Sequence, residues 1–245
     1  MRRFGLIGKT LKHSFSKNYF TEKFSKEELT DCRYDLFELS TIDELSSLIQ
    51  DTKGLEGFNV TIPYKQEVLP FISNLDHIAE RVGAVNVVKL VGENLVGYNS
   101  DYYGFKTSVS RWLADEVNTA LVLGTGGSSK AVLVALEDLE ITYQKVSRSP
   151  KIDCITYGDI HENPDLLSDV QLVINTTPLG TFPNVDEMAD LPAKAFHSGH
   201  YVFDLVYNPS ETRLMSAARE QGAKTKNGLE MLELQAEKSW EIWNS

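Results

Sequence analysis

The sequence predicts an α/β protein built from two open-sheet domains with a cleft between them. Three observations predict it. Strand-like apolar runs alternate with helix-period runs through the first hundred residues, which implies a mostly parallel sheet. A glycine-rich turn, Gly124-Thr125-Gly126-Gly127-Ser128-Ser129, lies between the apolar strand Leu121-Val122-Leu123 and the helical run Ala131-Val132-Leu133-Val134-Ala135-Leu136. That turn begins only after residue 120, so a segment of domain size precedes it and has to supply the substrate chemistry.

The elements follow in order. Strands are expected at about 4–7, 34–39, 57–62 and 84–90, and helices at about 17–29, 41–50, 64–72 and 76–82. Thr41 with Glu44 three residues on forms a capping-box pattern. Val91-Gly92-Glu93-Asn94 reads as a hairpin turn into a strand near 95–98. A helix is expected over about 102–114, then a polar junction at Asp115-Glu116-Val117-Asn118. The second unit runs strand 119–123, glycine turn, helix, and strands at 142–147, 152–156, 171–175 and 201–205. Helices at 211–221 and about 229–243 close the chain. Trp240 and Trp243 on the last helix read as core packing.

Composition bounds the function. The 245 residues are 42% hydrophobic and 24% charged, ordinary for a soluble globular chain. A net charge of -11 argues against a nucleic-acid partner, which calls for a basic stripe. Cys32 and Cys154 form no C-x-x-C pair, so a reduced, cytoplasmic setting is expected. Met1-Arg2-Arg3-Phe4-Gly5-Leu6-Ile7-Gly8 reads as a first strand and not a signal peptide, and no membrane span is expected. The five histidines are scattered, and His197-Ser198-Gly199-His200 reads as a loop, so no metal site is expected.

The glycine turn suits a pyrophosphate. Gly124 allows the tight turn, Gly126 lets the backbone approach the phosphates, and the following helix offers its N–H groups. Thr125, Gly127 and Ser128 complete the cradle. The pattern ends G-x-G-x-x-S, with Ser129 small enough for close helix–strand packing. A P-loop does not fit, because Lys130 is followed by Ala131. An acid about 20 residues past the loop would mark NAD. The strand there ends instead in Ser147-Arg148-Ser149, and an arginine between two hydroxyls suits the 2′-phosphate of NADP. The structural alternatives are an ordinary βα turn and a solvated arginine.

Ligands bind beyond the carboxyl ends of strands in open α/β sheets. Four polar clusters of the first unit fall at strand ends: Ser14-Phe15-Ser16, Asn59-Val60-Thr61-Ile62-Pro63-Tyr64-Lys65, Asn86, and Asn99-Ser100-Asp101. Asn59 and Thr61 would share one face of a strand, and Lys65 would begin a helix after Pro63. Each has a structural alternative: Ser14 as a helix cap, Asn59 and Asn86 bonding loop backbone, Asp101 as an N-cap, Lys65 as a solvated lysine. Together they suit alcohol–ketone chemistry, in which a lysine moves the hydroxyl proton and an aspartate orients it during hydride transfer.

These blocks resemble the shikimate dehydrogenase family over nearly the whole chain. The resemblance rests on the serine pair Ser14 and Ser16, the N-V-T-x-P-x-K block at 59–65, Gly83-Ala84-Val85-Asn86, Asn99-Ser100-Asp101, the glycine turn, Ser147-Arg148-Ser149, Asn175-Thr176-Thr177-Pro178-Leu179-Gly180, Asp204 to Tyr207, and Gly228 to Gln235. It departs from the family where Ser14-Phe15-Ser16-Lys17 lacks the lysine and proline of S-K-S-P, and where no second arginine follows Arg148, only Lys151.

The resemblance implies a substrate-binding domain over 1–101, joined by the C-terminal helix 228–245, and a Rossmann-like NADP-binding domain over 102–227. It implies reversible NADPH-dependent reduction of 3-dehydroshikimate to shikimate, with Lys65 and Asp101 catalytic. Ser14, Ser16 and Tyr207 would hold the substrate carboxylate, and Asn59, Thr61, Asn86 and Gln235 the ring hydroxyls. Thr176, Leu205 and Gly228 would join the glycine turn and Ser147, Arg148 and Ser149 at the cofactor. The expected partner is this small molecule, with no nucleic acid or membrane, in a monomer or homodimer. A quinate/shikimate dehydrogenase with relaxed NAD/NADP use and a non-catalytic nucleotide sensor are the alternatives.

Overall fold

The structure, a computed structural model, describes residues 1–11 and 14–245. The chain forms two compact units, Met1–Gly104 with Glu233–Ser245, and Phe105–Leu232. Both divisions fall inside helices, not at the polar stretch 115–118, which belongs to the second unit.

The first unit contains β1 (Arg2–Gly8), α1 (Phe15–Lys26), β2 (Cys32–Glu38), α2 (Leu45–Asp51), β3 (Leu55–Val60), β4 (Asn74–Leu75), α3 (His77–Val82), β5 (Val87–Val91), β6 (Asn94–Tyr98) and the start of α4 (Ser100–Ser110). Its sheet runs β2-β1-β3-β5-β6-β4. It is mostly parallel, as the alternation suggested, with β4 parallel to β6 and one strand, β5, reversed. β1 pairs parallel with β2 and β3, while β5 is antiparallel to both β3 and β6. The reason is the hairpin at Val91↔Asn94: Gly92 takes φ 61, and so tight a return can only be antiparallel.

Residues 64–72 form turns and one 3-10 turn, Leu69–Phe71, in place of the expected helix. Pro70 has no N–H to give to an α-helical ladder. The Lys65 carbonyl instead accepts from the Val85 amide at 2.8 Å.

The C-terminal stretch of the last helix belongs to this unit. Trp243 stacks on Phe4 with ring centroids 4.8 Å apart, and its Nε1 donates to the Val88 carbonyl. A Cβ on Gly57 would stand 2.3 Å from the Trp243 ring, so only glycine lets the indole reach the sheet. Trp243 is core, as expected, and Trp240 packs against the same cluster.

The second unit contains β7 (Thr119–Leu123), α5 (Gly127–Glu137), β8 (Thr142–Ser147), β9 (Cys154–Thr156), α6 (Tyr157–Glu162), α7 (Asp165–Ser168), β10 (Leu172–Asn175), β11 (Tyr201–Asp204), α8 (Arg213–Glu220), β12 (Lys224–Asn227) and the start of α9 (Leu229–Asn244). All strands are parallel, in the order β12-β11-β10-β7-β8-β9. Counted within the unit, that is the 3-2-1-4-5-6 order of a dinucleotide fold, and the glycine turn leaves β7 at the point where the order reverses. No helix among the described residues is long and apolar enough to cross a membrane.

Candidate active site

In the first unit the chemistry gathers around one ion pair. Gly83 at φ 64 ends α3 and turns the chain into the 84–86 segment. The bond from Val85 to the Lys65 carbonyl then stitches this segment to the turn after β3. Lys65 Nζ reaches Asp101 Oδ2 at 2.5 Å, with the side chains only 14% and 3% exposed. Lys65 is therefore not a solvated lysine, and it stands on a turn rather than a helix.

Asp101 is not the helix cap. Asn99 Oδ1 accepts from the Tyr102 amide at 3.1 Å and caps α4, while Asn99 Nδ2 donates to the Ala84 carbonyl. Asp101 is one residue inside the helix and its carboxylate is left for Lys65. Asn86 braces it. Its Nδ2 donates to Asp101 Oδ1 at 2.9 Å and to Ser100 Oγ at 3.1 Å, and its Oδ1 accepts from the Ser100 amide at 2.7 Å. The amide's orientation is thereby fixed with a donor toward the acid.

Asn59 is engaged inside the unit as well. Its Oδ1 accepts from the Tyr34 hydroxyl at 2.8 Å, and its Nδ2 donates to Ser239 Oγ at 2.8 Å and to the Asn86 carbonyl at 3.2 Å. Thr61 lies just past the end of β3, not beside Asn59 on the strand, and its amide donates to the Ile7 carbonyl. Ser14 is the N-cap of α1, accepting from the Lys17 amide at 3.3 Å, which leaves its own hydroxyl proton to donate. The Ser16 hydroxyl bonds to Tyr34, whose phenol is pushed far above its ordinary range by burial. Gln235 is half-buried on α9, and its carbonyl accepts from Ser239 at 2.8 Å.

In the second unit the glycine turn has the form a phosphate cradle needs. Gly124 takes φ 105, and a Cβ there would stand 2.7 Å from Thr176 Oγ1, so only glycine fits. A Cβ on Gly126 would meet nothing within 4 Å, so the chain leaves space over that position. Gly126 is the N-cap of α5 and brings no side-chain cap, which leaves the first amides of the helix, at Gly127 and Ser128, to an anion. Ser129 Oγ closes the turn on the Gly124 carbonyl at 3.0 Å.

At the end of β8, Arg148 is exposed, and Lys151 Nζ donates to Thr125 Oγ1 at 2.9 Å, which sets a second cation beside the glycine turn. Ser147 is buried and gives its hydroxyl to the Ser149 carbonyl, so Ser147 holds the turn while Ser149 is exposed. Thr176 Oγ1 donates to the Leu123 carbonyl at 2.6 Å. A Cβ on Gly228 would stand 2.2 Å from the Leu205 carbonyl, so these two backbones meet only through glycine. Tyr207 is half-buried after β11, and burial raises its phenol.

Sequence reading gave no role to two groups. Ser239 and Ser100 are buried within the network around Asp101; the only signal for Ser239 was its place four residues after Gln235 on one helix face. The other is Asp204, fully buried at the end of β11. It accepts from Asn175 Nδ2 at 2.9 Å, the Val206 amide at 3.0 Å and Thr212 Oγ1 at 2.6 Å. Burial pushes its carboxyl up to about 6 against these bonds. Among the described residues, no cluster of three or more ligating side chains could hold a metal.

A 3-2-1-4-5-6 parallel sheet with an open glycine turn, in one chain with an α/β unit that holds a buried lysine–aspartate pair, defines a two-domain dinucleotide-dependent oxidoreductase. Comparison with known proteins narrows this class. Residues 6–88 match the family profile described as the shikimate dehydrogenase substrate binding domain. The NADP(+) shikimate dehydrogenase of Clostridium perfringens (strain SM101 / Type A) is 36% identical over 100% of this chain and 93% of that protein. A chorismate mutase/shikimate 5-dehydrogenase fusion protein from Clostridium acetobutylicum superposes with a TM-score of 0.87 at 35% identity, covering 100% of this chain and 91% of that one. Shikimate 5-dehydrogenase from Thermus thermophilus, solved with NADP(H) and shikimate, has a TM-score of 0.86 at 27% identity, covering 99% and 93%. The chain belongs to the shikimate dehydrogenase family.

Proposed function

We propose that the protein catalyses the reversible NADPH-dependent reduction of 3-dehydroshikimate to shikimate, in the biosynthesis of aromatic amino acids. The observation that carries this is the buried Lys65–Asp101 pair, oriented by Asn86, in the unit that matches the family's substrate-binding profile. The names of the Clostridium and Thermus relatives support the substrate and the cofactor.

NADPH, when bound, would supply the hydride. Lys65 gives its proton to the carbonyl oxygen as that oxygen becomes a hydroxyl, and takes it back in the reverse direction. Asp101 holds Lys65 at that oxygen, and Asn86 keeps the Asp101 carboxylate aimed. Ser14 supplies a neutral hydroxyl for the substrate carboxylate, Ser16 joins it by turning its hydroxyl from Tyr34, and Thr61 and Gln235 serve the ring hydroxyls. Asn59, with its amide engaged, braces Asn86. The glycine turn and the amides of Gly127 and Ser128 would hold the cofactor's pyrophosphate, and Arg148, Ser149 and Lys151 its 2′-phosphate. Thr176, Leu205 and Gly228 shape the nicotinamide end.

We assign residues 1–101 with 228–245 to the substrate and 102–227 to the cofactor. We also place the protein in the cytoplasm, as a monomer or homodimer; its two cysteines are unpaired. Purified protein supplied with shikimate and NADP⁺ should develop the NADPH absorbance band. Absence of that band with shikimate would overturn the proposal.

A further inference from the structure

We infer that Ser239, on the C-terminal helix, is a positioning residue for the Lys65–Asp101 pair. The inference rests on the reaction proposed above. Ser239 is fully buried, and its hydroxyl has a direction. It donates to the Gln235 carbonyl at 2.8 Å, so its lone pairs face the other way. One accepts from Asn59 Nδ2 at 2.8 Å. Ser100 Oγ lies 3.5 Å away, and its one proton has two acceptors in reach, Ser239 Oγ and, at 3.4 Å, Asn86 Oδ1.

Ser100 Oγ then turns its lone pairs to Asn86 Nδ2 at 3.1 Å, and the same amide donates to Asp101 Oδ1 at 2.9 Å. The second route arrives at the same residue: Asn59 donates its other N–H to the Asn86 carbonyl at 3.2 Å. Both routes from Ser239 end on Asn86, the residue that sets the angle of the acid. They span 180 and 139 residues of sequence.

Docking of the helix does not need this hydroxyl. Trp243, Ile242 and Ala236 are buried against Phe4 and Phe20 from the same helix. A buried polar chain amid such packing is costly unless every member is paired. Here each donor finds an acceptor, and the chain terminates on the ion pair. Side chains that act in one network respond together and not additively when removed.

The test compares Ser239→Ala, Ser100→Ala and the double variant, with Trp243→Phe as a control that loses a helix-docking bond outside the network. Shikimate oxidation by NADP⁺ is measured with melting temperature and the pH profile of kcat. Ser239→Ala should lose about tenfold in kcat, a modest fraction of what acid–base groups supply, with a displaced pH profile and an unchanged KM for NADP⁺. Ser100→Ala should do the same, and the double variant should lose no more than either alone. Trp243→Phe should melt lower yet keep its kcat and pH profile.

Additive losses in the double variant, or a Ser239→Ala enzyme with native kcat and pH profile, would overturn the inference. So would activity that tracks melting temperature across Ser239→Ala and Trp243→Phe alike. Lys65→Ala assayed in parallel separates the two levels. If it retains turnover, the proposed reaction chemistry fails; if it loses turnover while Ser239→Ala does not, only the role of Ser239 falls.

Discussion

Each unit buries one aspartate at a strand end and braces it with an asparagine amide at 2.9 Å, Asn86 on Asp101 and Asn175 on Asp204. The surroundings then diverge. Asp101 faces a lysine at 2.5 Å. Asp204 is held by neutral donors: Asn175, Thr212 and a backbone amide. Burying a carboxylate disfavours its charged form, and neutral hydrogen bonds only partly offset this. Hence the Asp204 carboxyl rises to about 6. A buried acid with a cation beside it is equipped to orient a proton. A buried acid with neutral donors ties loops, and Asp204 fastens the segments after β10 and β11 that carry Thr176, Leu205 and Tyr207.

The largest expected effect breaks the charged member of this comparison. Lys65→Ala should reduce turnover by about 10²–10⁴-fold, the usual contribution of a general acid–base group, with a much smaller change in KM. Asp101→Asn keeps the acceptor for Asn86 and removes the charge that holds Lys65. Since Asn99 is the cap of α4, this variant should lose turnover far more than melting temperature. Steady-state kinetics beside thermal melts check both. A change confined to KM in Lys65→Ala would remove its catalytic role.

The neutral member is tested by pH. The folded-state pKa of Asp204 stands above its unfolded value of 3.8, so the folded protein binds the proton more tightly. Below about pH 4 both states are protonated and the residue costs nothing. As pH rises through about 4 to 6 the unfolded chain ionises first, and stability falls by roughly 3 kcal/mol once the folded carboxyl is also ionised. Asp204→Asn removes this dependence. Denaturant midpoints should show the variant gaining on the wild type from pH 4 to pH 7. A constant difference across that range would mean that Asp204 ionises normally.

The two aspartates also mark what a sequence can show. The glycine turn, the strand ends and the Lys65 and Asp101 pair are legible because local pattern carries them: a strand, a turn of small residues, a lysine after Pro63. Residues 64–72 read as a helix because the spacing is apolar and helix-like, while what decides it is Pro70 and a bond from Val85, 20 residues on from Lys65. β12 escaped notice since Lys224-Thr225-Lys226-Asn227 has no apolar alternation; it pairs at the sheet edge, where Lys224 covers the Tyr201 ring. Asp204 reads as one polar residue at a strand end like many others. Its burial, and the link from Ser239 to Asn59, come from contacts distant in sequence, to which no local period points.

The smallest effect sharpens the contrast between cations. Lys65 is nearly buried and spent on Asp101, while Arg148 is exposed at the end of β8. A 2′-phosphate must shed water to bind there, and a guanidinium offsets this with charge-assisted hydrogen bonds. Such a bond is worth about 1.5–3 kcal/mol, or roughly ten- to a hundredfold in affinity. NAD has no phosphate at that position and leaves the arginine solvated. Arg148→Leu should therefore weaken NADP by that order and leave NAD nearly unchanged. Lys151, anchored on Thr125 at 2.9 Å, keeps a positive charge beside the site, so a residual NADP preference should survive and fall further in Arg148→Leu/Lys151→Ala. The measurement is kcat/KM for both cofactors in wild type and variants. A ratio that does not move would make Arg148 a surface arginine and leave the 2′-phosphate without its proposed partner.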